Sequence, residues 1–118
     1  MTTRLAQAIG REEGFGIPGD VPTRNNNPGD LLHAPGETHP ADAPNSVGSF
    51  PDAATGWTRL ENQLVEYTTE HPGITLRQMI AQYYAPPPQN DPARYIQNVC
   101  SFLNCDPDDT VASLLARG

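Results

Sequence analysis

The chain has 118 residues, a length that suits one domain with a single hydrophobic core. Fourteen acidic residues face seven arginines and no lysine, and this net charge of -7 disfavours binding to nucleic acid or to an anionic membrane. No apolar run is long enough to span a bilayer, so we expect no membrane insertion, and no signal peptide is visible. The sequence thus predicts one soluble domain over residues 1–118, a monomer whose cellular location stays unknown.

The first predicted helix begins after Thr2 or Thr3 and ends near Glu13. Threonine hydroxyls cap helix N-termini, and Gly14 is a typical residue just after a helix end. The stretch that follows, residues 15–52, holds seven of the thirteen prolines. Its composition predicts turns and extended segments with at most a small β-hairpin.

Helical periodicity returns in the second half of the chain and predicts four further helices. Apolar residues recur there at steps of three and four, and cap residues or prolines mark the ends. Helix two is expected from Pro51-Asp52 to His71. Helix three is expected from Thr75, which forms a capping box with Gln78, to the prolines 86–88. Helix four is expected to start at Asp91-Pro92 and the last helix at Asp106-Pro107.

Cys100 and Cys105 are the only thiols of the chain. They lie five residues apart across a predicted helix end, and regular helix geometry does not bring such a pair within disulfide reach. We therefore expect free, mostly buried thiols, since a buried cysteine behaves as a small hydrophobe. His33 and His39 share a loop without a third ligand. The sequence thus predicts no metal site and no cofactor.

Glu12 and Glu13 end the first helix and are the candidates for acid chemistry. A carboxyl at a helix C-terminus lies at the negative end of the macrodipole, which raises its pKa, and an apolar cleft or an adjacent like charge raises it further. Such a group can donate a proton near neutral pH. The alternative is that the pair is only a solvated feature of a helix end. Periodicity does not choose between the two glutamates.

Three asparagines precede a Pro-Gly turn within residues 24–31. The amides of Asn26 and Asn27 can bind sugar hydroxyls or acetamido groups, because each amide both donates and accepts hydrogen bonds. They can equally bond to the local backbone, which is ordinary turn chemistry. Arg24 can hold a nearby carboxylate by a charge-assisted bond or contact a substrate. The sequence supports no preference among these roles.

Several short segments occur in order along the chain: Glu13-Gly14-Phe15, the run from Asn25 to Leu31, Phe50-Pro51 with Gly56-Trp57, Thr75-Leu76-Arg77, and Tyr84-Ala85-Pro86-Pro87 with Asn90-Asp91. Together they resemble the lysozyme-like superfamily of peptidoglycan-cleaving enzymes. The likeness is greatest to small bacterial and phage-associated domains similar to lytic transglycosylases and wall glucosaminidases. The resemblance implies a mainly α (α+β) lysozyme-like domain of about five helices, with a long loop or small β-hairpin after the first.

The resemblance also implies roles for individual residues. The catalytic acid of that superfamily is a glutamate that closes a helix, which corresponds to Glu13, with Glu12 as the fallback. Asp30 stands where such domains often have asparagine, so it is either a second catalytic carboxylate or a cap of its turn. The implied substrate contacts are Asn26, Asn27, Tyr84 and Arg24.

The activity that the resemblance implies is cleavage of the β-1,4 bond between the amino sugars of peptidoglycan. Its partner would be the glycan strands, and its place of action the bacterial cell wall. A lytic transglycosylase needs one glutamate as general acid and base, whereas a muramidase-type hydrolase recruits water. The alternatives are a non-catalytic glycan-binding or assembly domain of a wall-associated or phage machine, and an interaction domain whose Asn-Pro-Gly loop is only a turn.

Overall fold

The computed structural model describes residues 2–32, 34–42 and 47–118, so His33 lies outside the described residues. The helices are α1 (Arg4–Glu13), α2 (Val21–Arg24), α3 (Ala53–Glu70), α4 (Leu76–Met79), which continues as a π-helical turn (Ile80–Tyr84), α5 (Pro92–Leu103) and α6 (Val111–Ala116). The prediction of a mainly helical domain is confirmed. None of these helices combines the length and apolar character that crossing a membrane requires.

Side-chain caps begin the helices close to where the sequence predicts. The Thr3 hydroxyl accepts a hydrogen bond from the amide of Ala6, and Gly14 adopts a φ of 94° at the other end of α1. Thr75 and Gln78 form a reciprocal capping box at the start of α4. The carboxylates of Asp52 and Asp91 cap α3 and α5, and each accepts a hydrogen bond from one backbone amide.

The long loop after α1 contains less β-structure than predicted. Thr38 and Ser49 form one isolated antiparallel bridge through two hydrogen bonds of 3.0 Å. The described residues of this loop contain no β-strand, so the predicted hairpin is not supported. The loop instead contains α2, whose Pro22 suits a first helical turn because no amide proton is needed there. The sequence pattern did not predict this helix.

The last helix begins later than predicted. Asp106 and Asp109 close a turn of their own, in which the Asp109 amide donates to the Asp106 carbonyl at 2.9 Å. The Asp106 amide in turn donates to the Asp109 carboxylate at 3.0 Å. Thr110 then caps α6 by accepting from the amide of Ser113. The start predicted at Asp106 and Pro107 is therefore wrong, because the aspartate bonds to the turn rather than to a helix.

The hydrophobic core surrounds α1, which packs against α3, α5 and α6. Burying a side chain the size of leucine stabilises a fold by about 1.5–3 kcal/mol. The large aliphatic and methionine side chains that are fully buried include Leu5, Ile9, Leu60, Leu64, Leu76, Met79, Ile80, Val99, Val111 and Leu114. Since Glu13 is the last residue of α1, the core also holds this glutamate in place.

Two glycines allow other parts of the chain to approach helices closely. A Cβ atom at Gly56 of α3 would lie 2.0 Å from the carbonyl oxygen of Asn26. A Cβ atom at Gly10 of α1 would lie 2.6 Å from the ring of Trp57. Trp57 also meets Phe15 edge to face, with ring centroids 5.2 Å apart. The asparagine-rich loop, residues 24–31, therefore packs with its backbone directly on α3.

Asn27 is the buried polar centre of this loop. Its Nδ2 donates to the carbonyl oxygens of Leu31 at 2.9 Å and Gly48 at 2.8 Å, and its Oδ1 accepts from the Leu31 amide at 2.9 Å. Nearby, Asn26 donates to the carbonyl oxygen of Phe50 at 3.2 Å. These bonds join two parts of the loop. Because strand pairing does not satisfy the backbone groups there, the asparagine side chains do so.

Substitution of Asn27 should test this structural role. Asn27→Ala removes three buried hydrogen bonds and leaves backbone groups without partners, so we expect the free energy of unfolding to fall by about 3 kcal/mol. Urea unfolding measures the change, and Asn62→Ala on the exposed side of α3 is the control. A loss below about 1 kcal/mol would show that Asn27 does not hold the loop.

Candidate active site

A hollow of about 380 Å³ opens beside the C-terminal end of α1. Side chains reach it from α1, from the asparagine-rich loop, from α3 and from the π-helical turn. They include Glu13, Asp30, Gln63, Tyr67, Tyr83 and Tyr84. The volume lies within the range of small-molecule sites, and the lining combines carboxyl, amide and aromatic groups.

Glu13 is the partly buried carboxyl of this hollow. The hydroxyl of Tyr95, from α5, donates to its Oε2 at 2.6 Å. Burial raises the pKa of Glu13 to about 7; the hydrogen bond from Tyr95 opposes this rise, and the charges of Asp30 and Glu12 add to it. The carboxyl is therefore protonated in part of the molecules near neutral pH.

The structure separates the two glutamates that sequence spacing left equivalent. The Oε1 atom of Glu12 accepts a hydrogen bond from Asn98 of α5 at 2.8 Å. Glu12 lines a different hollow, together with Arg11 and Phe102. Only Glu13 lies beside the hollow that also contains Asp30.

Asp30 is the second carboxyl of the hollow. It adopts a φ of 53°, a left-handed conformation that aspartate tolerates better than most residues. Burial raises the pKa of its carboxyl. Its Oδ1 atom is buried and accepts no hydrogen bond from the described residues. This oxygen therefore does not cap the turn that carries Asp30.

Three of the predicted substrate contacts lie outside the hollow. Asn27 is completely buried, its amide bonds to the loop backbone, and it does not line the hollow. Asn26 donates to the carbonyl oxygen of Phe50 and does not line the hollow. Arg24 is exposed at the end of α2 and forms no ion pair with either carboxyl of the hollow. The backbone groups of an irregular loop attract nearby amides, and the sequence pattern does not distinguish this use from ligand binding.

Tyr84 does line the hollow, but its hydroxyl is committed to the protein. It donates to the carbonyl oxygen of Gly29, the residue before Asp30. Burial raises the pKa of Tyr84 well above its usual value, and the charge of Glu13 adds to the effect. Tyr84 thus stays neutral and fixes the turn that carries Asp30.

The exposed aromatic surface of the hollow comes from Tyr83 and its neighbours. Tyr83 is 44% exposed. Its ring stacks on His71 with centroids 4.6 Å apart and on Tyr67 with centroids 5.9 Å apart. Flat aromatic faces of this kind can pack against the apolar face of a sugar ring.

The sequence pattern did not indicate a role for Tyr95, Tyr67 or Gln63. Tyr95 is one of the buried residues of α5. The available signal was its hydroxyl, because a buried tyrosine needs a hydrogen-bond partner where phenylalanine does not. The identity of that partner, Glu13, depends on how α1 packs against α5.

Within residues 2–32, 34–42 and 47–118, no group of three His, Cys, Asp or Glu side chains is arranged to hold a metal ion. Comparison of the chain with protein-family models, with curated proteins and with solved structures finds no match.

The raised pKa of Glu13 predicts how stability depends on pH. The folded state keeps the proton up to about pH 7, whereas the unfolded chain releases it near 4.5. Between these values the folded state binds more protons, so the free energy of unfolding falls as pH rises. Glu13→Gln removes this titration. Relative to the wild type, the variant should gain about 2 kcal/mol on going from about pH 5 to about pH 8, measured by urea unfolding. If the free energies of unfolding of the variant and the wild type differ by the same amount at both pH values, the raised pKa does not belong to Glu13.

Proposed function

We propose that this protein is a peptidoglycan-cleaving glycosidase with a lysozyme-like domain, and that Glu13 is its general acid and base. The observation that carries the proposal is the Glu13 carboxyl, with its pKa raised to about 7, beside a hollow that also contains Asp30. Protonating the oxygen of a glycosidic bond requires an acid that is still protonated near neutral pH. A buried carboxyl at a helix C-terminus supplies one.

In the first step, Glu13 donates its proton to the oxygen of the β-1,4 bond. Tyr95 occupies Oε2, which leaves Oε1 as the oxygen that carries this proton. The bond between C1 and the leaving oxygen breaks, and positive charge develops on the sugar. The ionised carboxyl of Asp30 in the same hollow would stabilise that charge.

Two routes can complete the reaction. In a hydrolase, water attacks C1 and a carboxylate, either Glu13 or Asp30, takes its proton, which leaves a reducing end. In a lytic transglycosylase, the 6-hydroxyl of the same sugar attacks C1, and Glu13 takes the hydroxyl proton, which leaves a 1,6-anhydro ring. The second route needs only one carboxyl, so the effect of removing the Asp30 carboxyl distinguishes the two routes.

The lining of the hollow supports a neutral, hydroxyl-rich ligand. Two carboxyls disfavour an anionic group beside them, while Tyr83 and Tyr67 offer aromatic faces. Gln63 supplies an amide that can bind an acetamido group, the role assigned earlier to Asn26 and Asn27. The binding groups thus come from α3 and the π-helical turn.

The non-catalytic alternative predicts a different environment for Glu13. A glycan-binding or assembly domain needs no poised acid, and its glutamate would be exposed or paired with a cation. Glu13 is instead partly buried, hydrogen-bonded to Tyr95 and next to a hollow. This arrangement favours the catalytic proposal.

Mass spectrometry of purified peptidoglycan tests the proposal directly. We expect Glu13→Gln to lower the rate by about 1,000-fold, because the variant has no proton to donate. Glu12→Gln is the matched control and should retain activity, since Glu12 faces another hollow. Anhydro ends indicate a transglycosylase, whereas reducing ends with strong loss in Asp30→Asn indicate a hydrolase. Equal activity of the wild type and Glu13→Gln, or no products from the folded wild type, would refute the proposal.

The pH profile tests the positioning role of Tyr95. Its hydrogen bond favours the ionised form of Glu13, so Tyr95→Phe should raise the pKa of that carboxyl. We expect the alkaline limb of the activity profile, which falls as pH rises through about 7 in the wild type, to move up by about one pH unit. Tyr83→Phe, which removes a hydroxyl that does not bond to Glu13, should leave the limb in place. An unmoved limb in Tyr95→Phe would exclude this role.

A further inference from the structure

The two cysteines meet across the end of α5. Cys100 lies within the helix, and Asn104 adopts a φ of 53° that turns the chain back after it. As a result, the amides of Asn104 and Cys105 both donate to the carbonyl oxygen of Cys100. The two Sγ atoms are 3.3 Å apart. The thiols are free, as predicted, but they are only partly buried, and the turn after α5 brings them into a contact that regular helix geometry would not allow.

Both thiols are partly buried and reduced, and both line a hollow of about 440 Å³. This hollow also contains Arg77 and Gln97 and shares no lining residue with the hollow beside Glu13. A small reagent can therefore reach the sulfur atoms without entering the proposed active site.

We propose that Cys100 and Cys105 form a reversible intramolecular disulfide, and that a low-molecular-weight disulfide such as glutathione disulfide is the oxidant. The bond requires the sulfur atoms to approach to about 2.05 Å, which rotation of the two side chains can provide because the backbone turn already places them in contact. The inference does not depend on glycosidase activity.

The exchange proceeds in two balanced steps. The thiolate of one cysteine attacks one sulfur of glutathione disulfide, forms a mixed disulfide and releases one glutathione thiolate. The other cysteine then loses its proton and attacks the protein sulfur of the mixed disulfide, which releases the second glutathione. Two electrons pass from the protein to the oxidant, and the two thiol protons pass through solvent to the released thiolates.

The surroundings of Cys100 hinder its ionisation. Burial raises the pKa of its thiol to about 12, and the hydrogen bond with Cys105 and the charges of Cys105, Asp106 and Asp109 add to the rise. A thiol that resists ionisation is a poor nucleophile. Contact between the two sulfur atoms compensates for this in the second step, because it holds the attacking thiol next to the mixed disulfide.

The disulfide would join α5 to the segment that anchors α4. The amide of Leu76 donates to the Asp109 carbonyl and the amide of Arg77 to the Pro107 carbonyl, each at 2.9 Å. Arg77 also pairs with Asp108 at 3.0 Å. Since α4 continues into the π-helical turn with Tyr83 and Tyr84, and α5 carries Tyr95, the bond would link one wall of the proposed active site to the helix that positions Glu13.

Intact-protein mass spectrometry after treatment with excess glutathione disulfide tests the proposal. The wild type should lose the mass of two hydrogens and retain no glutathione. Cys100→Ser and Cys105→Ser should each retain one glutathione, because neither has a second thiol to displace it. A wild type that stays reduced, retains glutathione or forms disulfide-linked dimers would overturn the proposal.

Thermal unfolding and amide hydrogen exchange test the link to α4. The oxidised wild type should unfold at a Tm about 5 °C higher than the reduced form, and a reductant should reverse the change. The amides of Leu76 and Arg77 should exchange more slowly after oxidation. The double variant Cys100→Ser/Cys105→Ser should respond to neither treatment. Unchanged exchange in a protein whose disulfide has formed would refute the link while leaving the glycosidase proposal untouched.

Discussion

Burial of α1 in the core places a carboxyl where water solvates it poorly, and the proposed chemistry depends on this placement. Leu5 and Ile9 hold the helix among α3, α5 and α6, and Glu13 is its last residue. Poor solvation raises the pKa of Glu13, and the hydrogen bond from Tyr95 keeps the rise within the range useful for an acid near neutral pH. The same burial lowers the free energy of unfolding at pH values above the ordinary pKa of glutamate. Functional groups often cost stability in this way.

The asparagine-rich loop acts as the support of the second carboxyl. Asn27 satisfies the backbone on both sides of the turn, and the hydroxyl of Tyr84 holds the carbonyl oxygen of Gly29. Asp30 is thereby kept in a left-handed conformation with a buried oxygen that has no hydrogen-bond partner among the described residues. Asn27 therefore holds the loop in shape, whereas Glu13, Gln63 and Tyr83 line the hollow from helices.

The two proposals concern different parts of one packed unit. Tyr95 and Cys100 lie on the same helix, α5, one bonded to Glu13 and the other in contact with Cys105. The segment after Cys105 holds the start of α4, from which the chain continues into Tyr83 and Tyr84. A covalent bond at this turn would therefore limit movement between α5 and the π-helical turn without changing any residue that lines the hollow beside Glu13.

The sequence by itself determined the features that depend on neighbours along the chain. The caps at Thr3, Asp52 and Thr75 were predictable because each bonds to an amide only three residues away. The tertiary structure alone decided the remainder: it paired Tyr95 with Glu13 across 82 residues, faced Glu12 toward Asn98, and directed the amide of Asn27 inward. Such contacts follow from the packing of whole helices and loops, and no local pattern of residues specifies them.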